Sequence, residues 1–76
     1  MKLIPRGSNQ NSVVFDDGTE VFFSYNTPVA GYTETDGFVR TNKKWSVTTS
    51  KHINKYLFGA NAKEVEQSYM DKLQQR

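Results

Sequence analysis

No cysteine occurs among the 76 residues, so neither a disulfide nor a thiolate-held metal can staple this fold. With a single histidine, a zinc site built from His and Cys is excluded as well. Calcium needs spaced acids around a glycine; Asp16, Asp17 and Glu20 around Gly18 are too few and badly spaced. No apolar run approaches the ~18–20 residues that span a bilayer. The opening Met-Lys-Leu-Ile-Pro lacks the apolar core of a secretion signal, which sets the expectation of a cytoplasmic protein with no membrane contact. Glycine occurs five times and proline twice, with no repeat and no low-complexity tract.

The most informative absence is of negative charge. From Gly37 to Lys63 there is no Asp or Glu, while Arg40, Lys43, Lys44, Lys51, Lys55 and Lys63 all fall there. Residues 1–36 hold two bases against five acids, a sum of −3. From Gly37 onward eight bases face three acids, a sum of +5. The formal net charge of +2 hides this split. A one-signed segment projects a field over roughly 8–10 Å at physiological salt, and such a field calls for an anionic partner or a structural reason.

Seventy-six residues allow one domain and a modest core, which must come from the ten aromatics and the aliphatic residues. Residues 1–10 are expected to be extended or poorly ordered. Leu3–Ser8 differs by one residue from a common protease-cleavage linker; it is read as native and given no function. Ser12–Asp16 and Thr19–Tyr25 are β-rich runs separated by Asp17-Gly18, a hairpin signal because Gly tolerates positive φ. In the second run Val21, Phe23 and Tyr25 share the face expected to meet the core. Asn26-Thr27-Pro28 breaks the chain, Val29–Thr33 reads as a third strand, and Thr35-Asp36-Gly37 reads as a turn. Phe38–Thr41 and Trp45–Thr48 read as a fourth and fifth strand around the Asn42-Lys43-Lys44 turn.

The period then changes. Thr49 or Ser50 can cap a helix over Lys51–Phe58, which Gly59 can end. Ile53, Tyr56 and Leu57 form its apolar stripe, and Lys51, Asn54, Lys55 and Phe58 lie on another face. Asn61 with Glu64 reads as a capping box opening a second helix. Ala62, Val65, Tyr69 and Leu73 line it, Met70 lies beside them, and it is expected to fray near Gln74, Gln75 and Arg76. The expected fold is α+β: a small antiparallel meander or partial barrel of four or five strands, with two C-terminal helices packed on one face.

Catalysis finds little support. Ser46 or Ser50 could be combined with His52 and an acid, but almost any sequence allows that, and there is no nucleophile elbow and no phosphate-cradling glycine loop. No enzyme and no cofactor are expected. Binding is the better-supported class, through Arg40, Lys43, Lys44, Trp45, Lys51, His52 and Lys55. Lysines on phosphates release counterions, and aromatics stack on unpaired bases, so nucleic acid is one possible partner. An acidic protein surface is the other. Against both stands a plainer reading: solvated lysines on a turn and a helix face, and Trp45 in the core.

Three segments carry a resemblance: Ser8-Asn9-Gln10, Phe-Phe-Ser-Tyr-Asn-Thr-Pro-Val-Ala at 22–30, and Arg-Thr-Asn-Lys-Lys-Trp-Ser-Val-Thr-Thr-Ser-Lys-His-Ile-Asn-Lys-Tyr-Leu at 40–57. Together they resemble a family of short, uncharacterised bacteriophage proteins over residues 8–58. That resemblance implies the cytoplasm of an infected bacterium as the setting. It carries over no catalytic residue. It makes a host protein with an acidic surface, such as a CRISPR-type defence component, the favoured partner, with inhibition or modulation as the outcome. Monomer and homodimer both remain open.

Overall fold

Six strands and two helices follow one another in the computed structural model, which describes residues 1–74. The strands are β1 (Lys2–Gly7), β2 (Gln10–Val14), β3 (Glu20–Ser24), β4 (Thr27–Thr33), β5 (Gly37–Thr41) and β6 (Lys63–Val65). The helices are α1 (Val47–Leu57) and α2 (Gln67–Leu73). The sheet order is β1-β2-β3-β4-β5-β6, so the sheet is open, with β1 and β6 at its edges. Strands β2 to β5 form the expected antiparallel meander, β1 adds an antiparallel strand the sequence did not announce, and β6 joins β5 in parallel. A parallel neighbour requires a crossover, and α1 supplies it.

The glycine turns fall where the sequence places them. Gly18 (φ 88) donates its amide to the Phe15 carbonyl in the β2–β3 turn, and Gly37 (φ 70) closes the β4–β5 turn. Gly31 answers to a different constraint: a Cβ there would run into the Glu20 carbonyl of the adjacent strand. Residues 2–7 are extended, as a hairpin arm against β2. Its tight turn uses Asn9 at φ 60, a conformation asparagine tolerates.

Three expectations need correction. Trp45–Thr48 is no strand: the Ser46 hydroxyl accepts the Thr49 amide at 3.1 Å, and α1 starts at Val47. One cap hydrogen bond outweighs the weak β preference of Val47, Thr48 and Thr49. The Asn61/Glu64 capping box also fails. Lys63–Val65 instead pairs with the open side of β5, the Asn42 amide reaches the Val65 carbonyl at 2.8 Å, and α2 begins only after Glu66. Fraying at Gln75 and Arg76 lies outside the described residues.

The third correction concerns layering. The helices cover opposite faces of the sheet rather than one. Val21 and Phe22 are adjacent in β3, point to opposite faces, and are both fully buried. Val21 packs with Val39, Val65, Met70 and Leu73, so α2 covers that side. Phe22 packs with Val29, Ala30, Ile53 and Leu57, so α1 covers the other. A bulge in β4 makes this second cluster possible: Phe22 pairs with Ala30 and Phe23 with Pro28, leaving Val29 as an extra residue. Burying Ile53 and Leu57 there is worth roughly 1.5–3 kcal/mol each. Tyr25 belongs to neither core; half of it is exposed.

Candidate functional site

Arg40, Lys43, Lys44 and Trp45 come together as expected, lining a cleft of about 210 Å3 with Ser50 and Glu64. The Arg40 guanidinium lies against α1, with Nη1 3.4 Å from Asn54 Oδ1, while its buried Nε has no partner among the described residues. Lys43 holds its ammonium 4.0 Å from the centre of the Trp45 ring, so one face of the indole is occupied by a cation. Trp45 Nε1 donates to Gln67 Oε1 at 3.1 Å, and Gln67 Nε2 donates to the Pro28 carbonyl at 2.8 Å. The loop before α1 is thereby tied to α2 and to β4. Trp45 is 42% exposed, which excludes the core role that the plainer reading gave it.

The other predicted residues separate. His52 turns toward β3, where its Nδ1 lies 2.8 Å from Ser24 Oγ; that hydroxyl also meets Thr49 Oγ1 at 3.2 Å. Ser24 is 2% exposed, so this pair ties helix to sheet and offers no open nucleophile. Lys51 and Lys55 lie on the exposed outer side of α1. Lys55 also borders a cleft of about 170 Å3 with Arg6, Gln10 and Tyr56.

That outer side forms a stripe. Val47, Lys51, Asn54, Lys55 and Phe58 recur at helical spacing and all are exposed. Val47 is 68% exposed at one end and Phe58 is 93% exposed at the other. Phe58 is also the C-cap, in the left-handed conformation at φ 49 and ψ 44, a position at which glycine is usual. Holding a bulky L-residue there costs about 1–2 kcal/mol. Among the described residues the ion pairs are Met1–Asp16, Arg6–Glu20 and Lys63–Asp36, so Lys43, Lys44, Lys51 and Lys55 have no acidic partner.

Two acid–base environments lie away from the stripe. The Tyr69 hydroxyl donates to Asp36 Oδ2 at 2.7 Å and holds that carboxyl below its ordinary range, with Lys63 assisting. Tyr56 stacks on Phe22 at 4.5 Å, with its hydroxyl near the Glu20 carboxylate but out of hydrogen-bonding geometry. Burial, and then Glu20, push that hydroxyl well above its usual value. Among the described residues no group of three His, Asp or Glu is placed to hold a metal ion. No described helix is long and apolar enough to cross a membrane.

The sequence pattern sets Phe58 on the outer face of α1 with no mark of a site residue and points Tyr25 to the core, whereas in the fold both are exposed. Both have positive φ, which only a turn assignment could have exposed: Tyr25-Asn26 fills a two-residue connection between β3 and β4.

Fold and site together define a small α+β domain with a basic loop and an exposed amphipathic helix face. The chain belongs to a family described as "Family of unknown function (DUF8033)", matched over residues 1–72. Among curated proteins and among solved structures, nothing matches.

Proposed function

We propose that this domain is a non-enzymatic binding protein that docks the outer face of α1 into an acidic groove of another protein. One observation carries the reading. Val47 and Phe58 stand in solvent at the two ends of a stripe whose lysines, Lys51 and Lys55, have no acidic partner among the described residues. The Phe58 side chain is 93% exposed, so it gains little from burial, and it is held in a left-handed cap. Anchors at this spacing, roughly 16 Å end to end, are how an amphipathic helix is read by a groove. Lys43 and Lys44 extend the positive field beyond the start of the helix. The resemblance to short bacteriophage proteins supports a bacterial host protein as the target, with inhibition or modulation as the result.

Nucleic acid is the second reading, favoured by the same lysines. Against it, Phe22, Tyr56 and Phe38 are committed to one another. Binding to mixed-sequence DNA and RNA at about 50 and 200 mM salt separates the two readings, because phosphate contacts weaken steeply over that range. The protein-docking reading predicts that the double variant Lys51→Glu/Lys55→Glu loses a protein that the wild type retains from nuclease-treated bacterial lysate, and that no steeply salt-dependent binding to mixed-sequence nucleic acid runs through those two lysines. Salt-dependent nucleic-acid binding that the double variant loses, or protein retention unchanged in that variant, overturns it.

A further inference from the structure

A second cleft, of about 220 Å3, shares Trp45 and Thr49 with the basic one and lies against the β3–β4 turn. Tyr25 and Trp45 border it with Val29, Ser24, Thr27, Ser46 and Thr49, the hydroxyls of Ser24 and Thr49 being already bonded to each other. It brings together two segments far apart in sequence, the one around the Pro28 break and the hydroxyl-rich start of α1.

Tyr25 is the unusual element. It is the first residue of a two-residue hairpin loop, at φ 58, where glycine is the low-energy choice. A bulky residue with positive φ is an outlier that the surroundings must enforce. Here the Tyr25 amide donates to the Asn9 carbonyl at 2.7 Å, which pins the turn. The ring gains little burial in return: it is 51% exposed, 5.9 Å from the His52 ring. The β4 bulge at Val29 lies directly beside it, and bulges recur where a strand must re-aim side chains at a site.

The lining chemistry selects a ligand class. Among the described residues no ionised side chain borders the cleft, so it does not suit a bare ion. Two partly exposed aromatics suit a planar ring. The Thr27 and Ser46 hydroxyls can each donate, and Thr27 can also accept, which matches the mixed edge of a heterocycle. The Ser46 hydroxyl accepts the Thr49 amide and keeps its proton free to donate. Lys43, with its ammonium on the Trp45 ring, stands at the neighbouring cleft and can meet an attached phosphate. We propose that the Tyr25–Trp45 cleft is a nucleobase site, taking the base of a free nucleotide or one unpaired base of a strand. This site is separate from the α1 docking stripe.

Trp45 is the single tryptophan of the chain and reports directly on the cleft. The experiment titrates the full chain with AMP and UMP, and in parallel with oligoadenylate and oligouridylate, following Trp45 fluorescence. The proposal predicts saturable quenching in at least one arm. Quenching by the mononucleotides assigns a free nucleotide; quenching by the oligomers alone assigns a strand. Tyr25→Gly relieves the turn and removes one wall, so it is expected to remain folded and to bind about tenfold more weakly or worse. Thr27→Val, which keeps the strand shape, is expected to weaken binding at least threefold and serves if Tyr25→Gly does not fold. Phe58→Gly is expected to bind nucleotides as the wild type does, so failure of the docking reading and failure of this one are distinguishable. No quenching in either arm overturns the proposal. So does unchanged affinity in the cleft variants.

Discussion

Ser24 and His52, 28 residues apart, meet with Ser24 Oγ 2.8 Å from His52 Nδ1. Thr49 Oγ1 closes the group at 3.2 Å from the same serine oxygen. This contact sets α1 on the sheet from its inner side and leaves the opposite side of the helix free. It is buried, so its polar atoms depend on one another. Ser24→Ala leaves His52 and Thr49 short of a partner and is expected to lower stability by about 1–3 kcal/mol, measured by urea unfolding.

The start of α1 depends on Ser46. Ser46→Ala removes the acceptor for the Thr49 amide and is expected to cost about 1 kcal/mol. Ser46→Gly is expected to cost only a few tenths. Urea midpoints of the two variants check the order.

Each side of the sheet has its own core, and neither is dispensable. Met70→Ala and Ile53→Ala each empty one of them, at about 2–5 kcal/mol. A chain of this length holds roughly 4–11 kcal/mol in all, so each variant is expected to sit close to unfolding. If either substitution left the unfolding midpoint unchanged, the two-sided packing would be wrong.

The pH dependence has two signs. Asp36 has a carboxyl held below its ordinary 3.8 by the Tyr69 hydroxyl, so its contribution is present above that value and fades as pH falls through the lower folded value. Asp36→Asn is expected to flatten the acid limb of the stability profile. Tyr56 is raised above 10.0, mainly by burial, so its contribution is complete below that pH and is lost as pH rises further. Tyr56→Phe is expected to flatten the alkaline limb, with stability at neutral pH unchanged or higher. Unfolding midpoints measured across pH test both.

Much of the fold was legible because turns have local chemistry. Asp17-Gly18 and Thr35-Asp36-Gly37 announce themselves through residues that accept positive φ, and the meander follows from their spacing. What was not legible was decided by distant partners. Val21 and Phe22 both look apolar, and only the presence of a helix on each face makes both of them core. Lys63–Val65 carries no strand signal of its own; it pairs because β5 has an open edge. The basic cleft was readable as a charge pattern, and Arg40, Lys43, Lys44 and Trp45 do converge. Lys51, His52 and Lys55 part from it because helical spacing turns them to different sides. Tyr25 and Phe58 were underrated because nothing in the sequence marks an aromatic that must adopt positive φ.

The central claim is that Phe58 is kept for a partner and not for the fold. The most direct measurement compares what the wild-type chain and Phe58→Gly retain from nuclease-treated bacterial lysate. Glycine suits the left-handed cap, so the variant is expected to match the wild type in stability or exceed it by up to about 1 kcal/mol. The predicted result is a defined protein retained by the wild type and lost by this well-folded variant. Identical retention by both chains would contradict the account.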